Sequence, residues 1–78
     1  MSLDELPLRT DAQVVGMAAV GAERRRLMDL GIVPGATIRA ELTSPFGDPT
    51  AYLVRGGLLA LRRNQARLIT VAVPEELP

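Results

Sequence analysis

The 78-residue chain contains no cysteine, histidine, lysine or tryptophan. Without cysteine there is neither a disulfide framework nor a thiolate metal site. Without histidine the chain lacks the usual general base, the commonest metal ligand and the physiological pH switch. Nine acidic residues are present, but none cluster at metal-loop spacing. Aromatics are limited to Tyr52 and Phe46, too few for the stacking platforms on which single-strand binders hold bases. No apolar run approaches the roughly 18 residues needed to cross a bilayer. The opening "MSLDELP" is acidic rather than signal-like, so the expectation is a soluble, cytoplasmic protein.

Catalytic constellations are missing as well. Ser2 and Ser44 have no histidine, lysine or elbow motif to activate them. The seven glycines form no phosphate-binding or dinucleotide pattern. The chain is therefore expected not to be an enzyme, with no catalytic, cofactor-binding or metal-ligating residue and no cofactor.

What is present is a succession of short apolar segments separated by turn signals, fitting one small domain with a thin core. "AQVVGMA" (12–18) reads as a strand, with Gly16 suggesting a bulge or a close backbone approach. "AERRRLMDL" (22–30) is built of good helix formers, with Glu23 in the first turn. Taking Gly31 as the residue just past the helix pairs Leu27 with Ile32, the apolar contact of a Schellman closure, and Pro34 prevents continuation. "VPGA" (33–36) fits a type II turn with Gly35 at the position of positive φ.

"ATIRAEL" (36–42) alternates, placing Ile38, Ala40 and Leu42 on one face. "SPFGDP" (44–49) is a loop, and "TAYLVR" (50–55) resumes the sheet. Gly56 and Gly57 join it to "LLALR" (58–62) as a primed-turn hairpin. "RNQAR" (63–67) is a single helical turn and "LITVAV" (68–73) a last strand. The reading is mainly β: a small barrel of about five strands with one short α-helix, whose closure removes exposed edges. Residues 1–7 and 74–78 are expected to be mobile acidic tails around a folded unit at 8–73.

Nine arginines balance the nine acids overall, but Asp4, Glu5, Glu75 and Glu76 lie in the tails, leaving a body of +4. Arg24, Arg25 and Arg26 fan over about 200° of a helix rather than forming one stripe. Solvated helix surface is the favoured reading, with Arg26 set to pair with Asp29. The rival reading is a nucleic-acid-binding small barrel using its arginines; no helix-turn-helix, RNP or KH pattern supports it, and nucleic acid is an unlikely partner. Met28 and Leu30 follow the core residue Leu27, so at least one faces outward. Phe46 either stands on a loop tip or folds back to cap the barrel. Phe, Met and Arg are enriched in interfaces, which makes Arg24, Arg25, Met28, Leu30, Pro45 and Phe46 candidate partner contacts.

Three blocks together carry a family resemblance: "RLMDLGIVPGATI", "SPFGDP" and "LLALRRNQARLITV". In order and spacing the chain resembles the ferrous iron transport protein A (FeoA) family over about residues 8–73. The resemblance implies an SH3-like barrel and a small cytosolic accessory of the FeoB-type permease, a membrane protein with a GTPase domain. It implies binding to the permease's cytosolic portion at the inner face of the membrane, without membrane insertion; self-association stays open. Phe46 departs from the aliphatic residue such domains often carry. The same fold occurs as a C-terminal domain of DtxR-like repressors, but no winged-helix segment precedes it in this sequence, so a repressor is not expected. A peptide-binding SH3 module would need an aromatic-lined groove, which two aromatics do not supply.

Overall fold

A computed structural model describes residues 1–76. The elements run β1 (Asp11–Met17), α1 (Gly21–Asp29), β2 (Thr37–Thr43), β3 (Thr50–Val54), β4 (Gly57–Leu61), α2 (Arg63–Ala66) and β5 (Ile69–Ala72). Short 3₁₀ turns occupy Leu3–Glu5 and Pro74–Glu76. The five strands form one antiparallel sheet in the order β4-β3-β2-β1-β5. The core side is built from Val14, Ile38, Leu61, Ile69 and Val71, with Leu27 and Ile32 packed among them, all nearly or wholly inaccessible. No charged side chain is buried among the described residues, and Tyr52 is the one buried side chain that carries a polar group.

Two bulges bend the sheet. The β1–β5 register shifts between Val14 and Gly16, leaving Val15 as the extra residue. The β2–β3 register shifts between Ala40 and Leu42, where Glu41 is extra. This second bulge corrects the expected alternation. Ile38 and Ala40 are buried, but the added residue rotates Leu42 to the outer face, where it is 56% exposed.

The helix ends as its sequence predicts. Gly31 N–H donates to the Met28 carbonyl at 3.0 Å and Ile32 N–H to the Leu27 carbonyl at 3.1 Å, the paired bonds of a Schellman closure. Gly31 has φ +103°, and an added Cβ would lie 3.0 Å from Arg55 Cδ. The Pro34–Gly35 turn closes through Ala36 N–H to the Val33 carbonyl at 3.0 Å. The β3–β4 hairpin is primed but displaced by one residue. Val54 pairs with Gly57, so Arg55 and Gly56 are the central residues, with φ of 52° and 80°. Gly57 is the first residue of β4.

Residues 1–7 are not the tail that their acidity suggested. Leu3 is fully buried and Leu6 nearly so. Ser2 bridges Thr70, and the Met1 ammonium donates to the Val71 carbonyl at 2.9 Å. The turn is stabilised locally by Glu5 Oε1, which accepts from Ser2 N–H at 3.1 Å and from Ser2 Oγ at 3.0 Å. Two leucines at a spacing of three supply the apolar area that draws this segment onto the sheet, each worth about 1.5–3 kcal/mol when buried. At the other terminus Pro74–Glu76 form a turn, and the rest of the expected 74–78 tail lies outside the described residues.

Candidate functional site

α1 is anchored lightly. Leu27 is its one buried side chain, and Glu23 Oε1 accepts from Gln65 Nε2 of α2 at 3.2 Å. Arg26 pairs with Glu23 at 3.6 Å instead of with the expected Asp29: the acid one turn before it is held in reach by the α2 contact. Arg24 and Arg25 are exposed and make no ion pair among the described residues. Together with Gly21, Met28 and Asp29 they line a shallow hollow of about 320 Å³. The helix therefore brings Arg24, Arg25 and Met28 to one place. Leu30, at the helix end, is 41% exposed and lies outside that hollow.

The 44–49 loop is a second surface. Ser44 organises it: Ser44 Oγ donates to the Asp48 carbonyl at 2.7 Å, and Gly47 N–H donates to the Ser44 carbonyl at 2.8 Å. The Asp48–Pro49 bond is cis. α2 holds the loop from outside, with Arg63 N–H donating to Asp48 Oδ1 at 2.9 Å and Arg63 Nη2 to the Gly47 carbonyl at 3.3 Å. These bonds leave Pro45 exposed and Phe46 at the tip, 95% exposed. The loop-tip reading of Phe46 holds; it caps nothing.

Between this loop and the N-terminal turn lies a cleft of about 360 Å³. Its walls include Leu6, Leu8, Tyr52, Asp4, Asp48 and Arg63. Tyr52 Oη donates to the Leu3 carbonyl over 3.5 Å, a weak bond. Burial pushes its phenol above the ordinary value of 10.0, against the smaller opposing effect of a hydrogen bond to Thr50. The cleft is not legible in the sequence, because the acidic residues 1–7 that supply Asp4, Leu6 and Pro7 to its wall have the composition of a tail. The loop's contribution was legible in the two prolines and Gly47; the wall facing it was not. The α1 hollow and the cleft share no lining residue, and of the six candidate contacts only Arg24, Arg25 and Met28 line either one. Among the described residues no three acids converge as a metal site would require.

A bent five-stranded antiparallel sheet, one short helix between its first two strands and a hydrogen-bonded, aromatic-tipped loop define a small SH3-like barrel. The FeoA domain profile matches residues 1–73, and the chain belongs to the FeoA family. The FeoA protein of Chlorobium tepidum, known from a solution structure, is 46% identical, with a TM-score of 0.89 over 95% of this chain and 70% of that one. The zinc complex of Stenotrophomonas maltophilia FeoA is 36% identical, with a TM-score of 0.82 over 92% and 89% of the two chains. That relative is described as a procaryotic SH3-domain protein and a candidate activating factor for ferrous iron transport. A Porphyromonas gingivalis protein, a fusion of Fe(2+) transport protein A with the Fe(2+) transporter FeoB, is 34% identical over 71 residues. Those residues are 91% of this chain but 8% of the fusion, so the chain spans a small part of that relative. The family is linked to ferrous iron transport.

Proposed function

We propose that this chain is a non-catalytic accessory of ferrous iron transport that binds the cytosolic portion of a FeoB-type permease. The observation that carries the reading is the fusion relative, in which a segment similar to nearly the whole chain belongs to the same polypeptide as a FeoB transporter. Covalent linkage raises effective concentration between modules that work together. The surface chemistry is compatible with contact rather than catalysis. No histidine or cysteine is available, whereas Phe46 is held outward by a bonded loop and Arg24, Arg25 and Met28 share one face of α1. An exposed aromatic offers a large apolar contact area to a partner. No helix among the described residues is long and apolar enough to cross a membrane; on the proposed reading the contact is peripheral, with the permease's cytosolic portion.

The test is native co-purification of the tagged chain with the permease in iron-replete cells. Association is expected, and Phe46→Ala or the Arg24→Ala/Arg25→Ala pair should weaken it about tenfold, the effect of losing roughly 1.4 kcal/mol of contact. No association, together with normal iron uptake in a deletion strain, would overturn the reading.

A further inference from the structure

The two edges of the sheet differ. The β5 edge is covered, since Val71 N–H donates to the Met1 carbonyl at 2.8 Å and Ser2 bridges Thr70. The β4 edge is bare: among the described residues β4 pairs with β3 alone. An edge strand offers unpaired backbone donors and acceptors, and proteins ordinarily blunt it with charge or proline. β4 reads GLLAL, with neither.

Which groups face outward follows from the hairpin. In a two-residue hairpin the pair flanking the turn exchanges both hydrogen bonds, and the ladder alternates from there. Val54–Gly57 is that pair, and Tyr52–Leu59 and Thr50–Leu61 repeat it. Leu58 and Ala60 therefore turn their N–H and C=O groups away from β3. The outer face beside them is apolar. Leu58, 63% exposed, lies opposite Leu53, and Ala60 lies opposite Ala51, itself opposite the exposed Leu42. Arg55 and Arg62 bracket the strand; both are exposed and neither makes an ion pair among the described residues.

We infer that the β4 edge takes an extended segment of a partner protein as an added strand, apolar on one face and with a carboxylate at each end. Backbone hydrogen bonds to Leu58 and Ala60 supply the pairing, the outer apolar face supplies burial, and the bracketing arginines select charge. Charge also argues against a second copy of this chain. Setting Leu58 of one copy opposite Ala60 of the other would use all the outward groups, but would bring Arg55, in the turn before one β4, beside Arg62 and Arg63, just past the end of the other. Like charges brought together at both ends of the pair oppose it; a glutamate or aspartate at those ends of the incoming strand turns the same arrangement into attraction. The inference rests on the edge geometry and not on the permease as partner, and its apolar face, Leu42, Ala51, Leu53, Leu58 and Ala60, contains none of the six candidate contacts.

The experiment uses the whole chain, labelled with nitrogen-15, and two short synthetic peptides of alternating valine and threonine. One ends in glutamate at both termini, the other in lysine. The glutamate-ended peptide should slow hydrogen exchange at the Leu58 and Ala60 amides by about tenfold or more, leaving β5 amides unchanged, and should bind at least about tenfold more tightly than the lysine-ended one. Ala60→Pro removes an outward N–H that makes no bond to β3, a position where an edge strand tolerates proline, and should abolish the protection of Leu58. Arg62→Glu, which touches no ladder bond, should reverse the preference between the peptides and keeps the test decisive if Ala60→Pro fails to fold. Absence of binding, equal binding of both peptides, protection elsewhere than β4, or no reversal by Arg62→Glu would overturn the inference. Protection of the same amides that grows with protein concentration in the absence of peptide would overturn it in favour of a second copy.

Discussion

Gly31 carries two demands at one position. Its backbone lies at φ +103°, and the space where a side chain would stand is filled by Arg55 Cδ at 3.0 Å and Val54 Cγ1 at 3.3 Å. Arg55 can swing away, but the backbone conformation cannot be relieved that way. Gly31→Ala should cost about 1–3 kcal/mol, read as a fall in denaturation midpoint; an unchanged midpoint would refute the closure as a source of stability. Tyr52 gives a second test. Burial raises its folded pKa above the unfolded phenol value, so the folded state holds the proton more tightly. The resulting stability is complete below the ordinary value near 10.0 and is lost as pH rises through the folded value. Phenolate absorbance of this sole tyrosine should titrate above 10.0 in the native protein. Chemical-denaturation midpoints should decline over the same alkaline window, and Tyr52→Phe should remove that decline.

At the scale of elements, a single extra residue outweighs side-chain pattern. Ile38, Ala40 and Leu42 alternate in sequence, yet the bulge at Glu41 sends Leu42 outward while the first two stay in the core. Removing Leu42 should therefore matter little and removing Leu3 a great deal. Leu42→Ser should change stability by no more than about 0.5 kcal/mol, whereas Leu3→Ala should cost about 2–5 kcal/mol. Equal costs in a urea titration would contradict this assignment of faces. The strands, α1 and its closure were legible because periodicity, capping and turn chemistry are local. The bulge at Glu41 was not, because Glu41 carries no local mark; Gly16, at the other bulge, does. The primed hairpin turn was legible in kind but misplaced by one residue. Arg55 adopts the positive φ that two adjacent glycines suggested for themselves.

Across the whole molecule, charge and surface are distributed more informatively than their totals. The net charge is zero, and the arginine run that dominates the sequence is divided by the structure. Arg26 is engaged with Glu23, while Arg24 and Arg25 remain outward on a helix held by one buried leucine. Exposed residues of this kind hold little of the fold. The Arg24→Ala/Arg25→Ala pair should leave the thermal midpoint nearly unchanged, within about 0.5 kcal/mol per site, even where it weakens partner binding. A large loss of stability would instead mark them as structural. Of the candidate contacts, the loop position of Phe46 was legible in Pro45, Gly47 and Pro49 but its outward side chain was not, whereas the grouping of Arg24, Arg25 and Met28 follows from helical spacing. The cleft beside Tyr52 could not be anticipated, since it depends on where the N-terminal segment lies, and the bare β4 edge overturns the closure expected from the strand count.

The sequence by itself determined the helix and its closing glycine, the turn at Pro34–Gly35, the number of strands and, through three ordered blocks, the family. Each is set by neighbours within a few residues, where backbone sterics and hydrogen-bond geometry act without reference to the rest of the chain. Tertiary structure alone decided that Leu3 and Leu6 complete the core, that Met1 and Ser2 cover β5, and that β4 stays open. Those outcomes depend on which distant apolar surface is available for burial and which backbone groups remain unpaired once the sheet has formed.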